Sequence, residues 1–133
     1  MGEDRTTEFT FKLADITTDI PQNTISSGFM RIYVAGLVSG TEHFRKKFAD
    51  AVSDLKHTFP DAEIINPVAM TGDIAEKCPT FTHGQYMQIC KAALAECTHI
   101  FLIDDWKHSK GAKEEVMFAI DHEIEILTYG DLV

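Results

Sequence analysis

The chain has 133 residues, 21 acidic against 12 basic, for a formal net charge of −9. That length suits one domain with a real hydrophobic core, and 44% hydrophobic with 25% charged residues excludes a wholly disordered chain. The acidic balance argues against a nucleic-acid polymer as partner, because such binding rests on Lys and Arg against phosphates; a small phosphate-bearing ligand held by backbone amides stays open. Residues 1–29 are rich in Thr, Ser, Asp, Asn and Gln and carry five acids against two bases. Phe9, Phe11 and Leu13 alternate with polar residues as one short strand would, and Asp19 to Gly28 is loop chemistry. The segment is expected to be an N-terminal arm on a domain spanning 30–133; a flexible tail fits equally.

From Met30 the pattern is regular. Met30 to Ala35 predicts a buried strand ended by Gly36. Glu42 to Thr58 places Phe44, Phe48, Ala51, Val52, Leu55 and then Phe59 on one helical face. Glu63 to Asn66 predicts a second strand stopped by Pro67, followed by a long aperiodic stretch from Val68 to Gly84. Gln85 to Cys97 predicts a helix with Met87, Ile89, Cys90, Ala93 and Leu94 inward. His99 to Ile103 predicts a strand covered on both faces. Lys113 to His122 predicts a helix with Val116, Met117, Ala119 and Ile120 inward, and Glu125 to Tyr129 a last strand.

This alternation implies an α/β, Rossmann-like (flavodoxin-like) parallel sheet of about four or five strands with helices on both faces. Ligands in such folds bind beyond the carboxyl ends of the strands, at a topological switch point. The residues to inspect are therefore Gly36–Gly40, Asn66–Pro67 and Asp104–Glu115.

No apolar run nears the ~18 residues of a membrane span, and Met1 to Glu8 holds no signal-peptide core. Cys78, Cys90 and Cys97 lack CxxC spacing and suit reduced thiols in a cytoplasmic protein. Six scattered histidines and the lone Cys78/His83 pair fall short of a zinc site, so no metal is expected, and no cofactor.

Gly36, Ser39 and Gly40 can bring backbone N–H groups to an anion, although a plain tight turn fits as well. After the third strand, Ser109, Gly111 and Ala112 precede a helix start, with Lys107, Lys110 and Lys113 clustered there. Trp106 offers a flat surface for a base or sugar, and Glu115 can aim its carboxylate back at the strand ends. A solvated lysine cluster, with Glu114 and Glu115 merely favourable near a helix start, fits equally.

Arg31-Ile-Tyr-Val-Ala-Gly36, Ile65-Asn-Pro-Val68, Tyr86-Met87 and Trp106-Lys-His-Ser-Lys-Gly-Ala112 with Glu115 together carry a resemblance. They resemble the nucleoside 2-deoxyribosyltransferase-like superfamily, closest to its small uncharacterised phage, prophage and bacterial members. The resemblance covers about Met30 to Val133. It implies that Glu115 is the nucleophile at the anomeric carbon of a 2-deoxynucleoside, with the Tyr33 hydroxyl orienting it. Ser109 stands where nucleotide N-hydrolases contact the 5′-phosphate and transferases carry Asp, so a monophosphate is favoured. Gly36, Ser39, Gly40, Asn66, Asp105, Trp106, Ser109 and Gly111 are the expected substrate-binding residues. Cys90 departs from the Asp that relatives often carry for proton handling at the leaving base, Thr98 from a second Asp, and Asp104-Asp105 from a Pro-Gly pair. The obvious acid for the departing base is thus missing unless Asp104 or Asp105 substitutes. The alternative is a non-catalytic nucleotide or nucleotide-sugar binding protein with a degenerate site. The resemblance also implies a homodimer or higher homo-oligomer.

Overall fold

A computed structural model of the chain describes residues 29–38, 43–72 and 74–132. The arm, with the strand expected at 9–13, lies outside the described residues except for Phe29, as do Ser39 and Gly40.

Four strands, β1 (Arg31–Ala35), β2 (Glu63–Ile65), β3 (His99–Leu102) and β4 (Glu125–Leu127), form one sheet in the order β2-β1-β3-β4. Every pairing is parallel. The helices are α1 (Phe44–Thr58), α2 (Pro67–Thr71), α3 (Ile74–Lys77), α4 (His83–Leu94) and α5 (Lys110–Asp121), with short 3-10 turns at Trp106–His108 and Tyr129–Leu132. No described helix is long and apolar enough to cross a membrane.

The chain steps one way from β1 to β2, then back across β1 to β3 and β4. With right-handed crossovers this reversal puts α1 on one face and α4 and α5 on the other. The two cores divide in that way. Ile32, Val34, Phe101 and Ile103 pack with Phe48, Ala51 and Leu55 of α1. Tyr33, Ala35, Ile100 and Leu102 pack with Cys90 and Leu94 of α4 and Ala112, Val116 and Ala119 of α5. The β1–β3 register keeps same-face residues side by side, Tyr33 with Ile100 and Val34 with Phe101.

Three boundaries differ from those expected. Pro67 does more than stop β2: it opens α2 at the first helical position, where its missing N–H costs nothing. Asn66 caps that helix, its Oδ1 accepting from the N–H of Val68 (3.0 Å) and Ala69 (3.4 Å). The aperiodic stretch thus holds α2 and α3, of five and four residues, too short to show a repeat. Helix α4 starts at His83, fixed by a capping box between Thr82 and Gln85.

Helix α5 starts at Lys110 rather than Lys113, because Ser109 is its N-cap. Its buried face is Ala112, Glu115, Val116 and Ala119, whereas Met117 and Ile120, expected inside, are 58% and 54% exposed. A carboxylate holds part of the inward stripe, so apolarity alone rotates the expected face. The helix closes with Glu123 at φ 59° and the Ile124 N–H reaching Ala119 O at 2.8 Å, which turns the chain into β4.

Candidate active site at the switch point

Strands β1 and β3 lie either side of the point where the winding reverses, and the site forms at their carboxyl ends. Tyr33 is fully buried in the middle of β1 and faces α4 and α5. Its hydroxyl donates to Glu115 Oε2 at 2.5 Å, across 82 residues of sequence.

Burial is what makes this pair unusual. Glu115 is 6% exposed. Loss of hydration pushes its carboxyl up to about 7 and the Glu114 charge adds to this, while the Tyr33 donor and Lys91 pull the other way. Burial, and then the Glu115 charge, push the Tyr33 phenol far above its ordinary value, so it remains a donor. Burial raises the Cys90 thiol to about 11 despite hydrogen bonding from Tyr33 and Tyr86. Cys90 is therefore a neutral thiol beside the pair. Cys97 is also buried and Cys78 exposed, and all three cysteines are free.

Glu115 opens into a cavity of about 240 Å³ whose lining includes Gly36, Tyr86, Cys90, Ser109 and Gly111. Val38, His83 and Tyr86 also line an adjoining, mostly apolar hollow of about 400 Å³, bounded by Phe44, Arg45 and Phe81. Ser109 Oγ accepts from the Ala112 N–H (3.0 Å), which leaves its own proton to donate. Lys110 and Gly111 line the cavity in the first turn of α5, where backbone N–H groups lack intrahelical acceptors. The site thus offers a buried carboxylate beside a cluster of donors.

Of the expected site residues, Tyr33, Gly36, Ser109, Gly111 and Glu115 come together here. Gly36 has a packing reason as well, since a Cβ there would stand 3.0 Å from Ile103. Asn66, Asp105 and Trp106 do not line the cavity. Asn66 is spent on the α2 cap. Asp105 accepts from the Leu37 N–H at 3.0 Å and from the Lys47 ammonium, tying the loop after β1 to the loop after β3. Asp104 and Asp105 face a separate hollow with Tyr129 and do not line the Glu115 cavity. Trp106 packs against the α4/α5 core, with the Lys107 ammonium 5.9 Å from its ring centre. Lys107, Lys110 and Lys113 are all exposed, and of the three only Lys110 lines the cavity.

Sequence reasoning missed His83 and Tyr86 as lining residues. The available signal was the spacing His83, Tyr86, Met87, Cys90, which puts all four on one side of α4. His83 Nε2 meets Glu114 Oε2 at 3.1 Å, and Lys91 Nζ approaches Glu114 Oε1 at 3.6 Å.

Fold and site together define an α/β protein of Rossmann-like winding, with a buried Tyr–Glu pair at its switch point. The chain belongs to the family described as a domain of unknown function, DUF4406, whose model matches residues 30–128. That match takes in all four strands and both members of the pair. No curated protein matches the chain.

Proposed function

We propose that the chain cleaves or transfers the N-glycosidic bond of a 2-deoxynucleoside, with a 5′-monophosphate favoured and Glu115 as nucleophile. One observation carries this reading: the Tyr33 hydroxyl holds one oxygen of a buried carboxylate at 2.5 Å. Glu115 Oε1 is then the oxygen that attacks the anomeric carbon. The base departs, a glycosyl ester forms, and water or a second base resolves it. The likeness of the Tyr33, Ser109, Gly111 and Glu115 positions to the nucleoside 2-deoxyribosyltransferase-like superfamily supports the same chemistry. The Ser109 hydroxyl and the first turn of α5 suit a phosphate, since helix N-termini favour anions.

Incubation with a panel of deoxynucleoside monophosphates should release free base, and Glu115→Gln should abolish the release. Only the ionised carboxylate attacks, so the rate of the chemical step should climb as pH rises through about 7. Turnover unchanged in Glu115→Gln sinks the nucleophile assignment.

A second reading, nucleotide binding without turnover, is favoured by one fact: Glu115 is the sole carboxylate among the described cavity residues. Under it a nucleotide raises the melting temperature while no base is released, because binding to the folded state alone stabilises it.

A further inference from the structure

Nucleophilic glycosyl transfer needs a second group, which protonates the leaving atom and later deprotonates the incoming nucleophile. Among the described residues the Glu115 cavity contains no other carboxylate. Its remaining candidates are Tyr33, Tyr86, Cys90, Lys110 and His83. Burial holds both phenols and the Cys90 thiol in their neutral forms well above neutral pH. Lys110 lines the Glu115 cavity but not the adjoining hollow, so it does not stand between the two. Histidine is the side chain that ordinarily cycles a proton at neutral pH.

His83 is also in the right place. It stands at the first position of α4 and lines both the Glu115 cavity and the adjoining apolar hollow. A ligand that filled both spaces would pass His83 and Tyr86, which line each of them. The His83 ring lies over the start of α5, its Cε1 3.7 Å from where a Cβ on Gly111 would stand. Its Nε2 is engaged by Glu114, the residue before the nucleophile, and Lys91 sits on the other carboxylate oxygen. A carboxylate on one nitrogen fixes the tautomer and leaves Nδ1 for exchange.

We propose that His83, held by Glu114, is the acid–base group of this site and does the work of a second carboxylate. This rests on the N-glycosidic reading above. In the first step Glu115 Oε1 bonds to C1′, the C1′–N bond breaks with its electron pair going to the base, and the Nδ1 proton of His83 goes to that base. In the second, neutral His83 takes a proton from water as the water oxygen bonds to C1′. The C1′–Oε1 bond then breaks and Glu115 regains its carboxylate. His83 is a catalytic residue on this account and Glu114 a positioning residue.

The test compares two substrates: deoxyguanosine 5′-monophosphate, whose base needs a proton to leave, and its N7-methyl derivative, whose base is already cationic. His83→Ala should slow base release from the first at least about 100-fold and from the second less than about threefold, the range general acids supply. Added imidazole should restore the first reaction, and Glu114→Gln should give a smaller loss with the same substrate selectivity. His83 is exposed at a helix start, so the variant keeps the fold. Equal effects on both substrates, or none on either, overturn the dyad while leaving Glu115 chemistry standing. A wild-type chain inert toward both substrates overturns the glycosidic reading, and the dyad falls with it.

Discussion

The two faces of the sheet are built from alternate residues of the same strands, yet they hold different chemistry. On the α1 face, Ile32, Val34, Phe48, Ala51, Leu55, Phe101 and Ile103 form an all-apolar core. On the α4/α5 face, an equally apolar lattice surrounds Tyr33, Cys90 and Glu115. A strand sends neighbouring side chains to opposite faces, so Tyr33 and Val34 are adjacent in sequence and share nothing in role. Buried polar groups cost stability unless partnered. Each one here has its partner: Glu115 has the Tyr33 hydroxyl, Ser109 the Ala112 N–H, and Thr71 the Pro67 carbonyl at 2.7 Å. Both faces bury apolar surface, and the α4/α5 face buries a titratable carboxyl as well.

The sharpest way to break this comparison is to cut into the α1 face. Phe101 is fully buried and meets Tyr129 edge-on at 4.9 Å between ring centres. Phe101→Ala should cost about 3–5 kcal/mol in urea denaturation, the usual loss when a large core ring leaves a cavity. A cost under about 1 kcal/mol would mean that the α1 face contributes little to stability.

The next largest effect has the opposite sign. Glu115 is raised from an ordinary 4.5 to about 7 in the folded chain, so folding favours its protonated form. That contribution is full below about 4.5, declines as pH rises, and is gone above about 7. At pH 8 the native chain thus carries the cost of a buried carboxylate that Gln would not have. Glu115→Gln should stabilise by on the order of 2 kcal/mol at pH 8, and the gain should close by pH 4. Urea midpoints at the two pH values check it; a gain of equal size at both would show that packing, not charge, sets the difference.

The same contrast explains how much was legible beforehand. The strands were readable because His99 to Ile103 and Met30 to Ala35 are short apolar runs, and the alternation of elements carried the sheet and its two helical layers. The polar half of the α4/α5 face was not readable from periodicity. Counting apolar residues on α5 selects Met117 and Ile120, which are exposed, and passes over Glu115, which is buried. Spacing offered Glu115 only as one of two equal readings, and resemblance to a known superfamily added Tyr33. His83 and Glu114 are 31 residues apart and meet only because α4 and α5 pack together. An Asn-Pro pair suits a helix start as well as a ligand contact, and Asn66 caps α2.

The smallest effect separates two jobs held by one hydroxyl. Ser109 Oγ accepts from the Ala112 N–H as the cap of α5, and the residue also lines the Glu115 cavity. Losing the cap alone should cost about 1 kcal/mol. Because no ionisation is involved, that loss should be the same at pH 5 and pH 8, unlike the Glu115 effect. If Ser109 also donates to a substrate phosphate, Ser109→Ala should shrink the thermal shift given by a deoxynucleoside monophosphate more than the shift given by the matching deoxynucleoside. Equal shrinkage would confine Ser109 to the cap and leave the phosphate to the backbone N–H groups of Lys110 and Gly111. The α4/α5 face would then hold its ligand by helix geometry alone, with Glu115 as its one committed side chain.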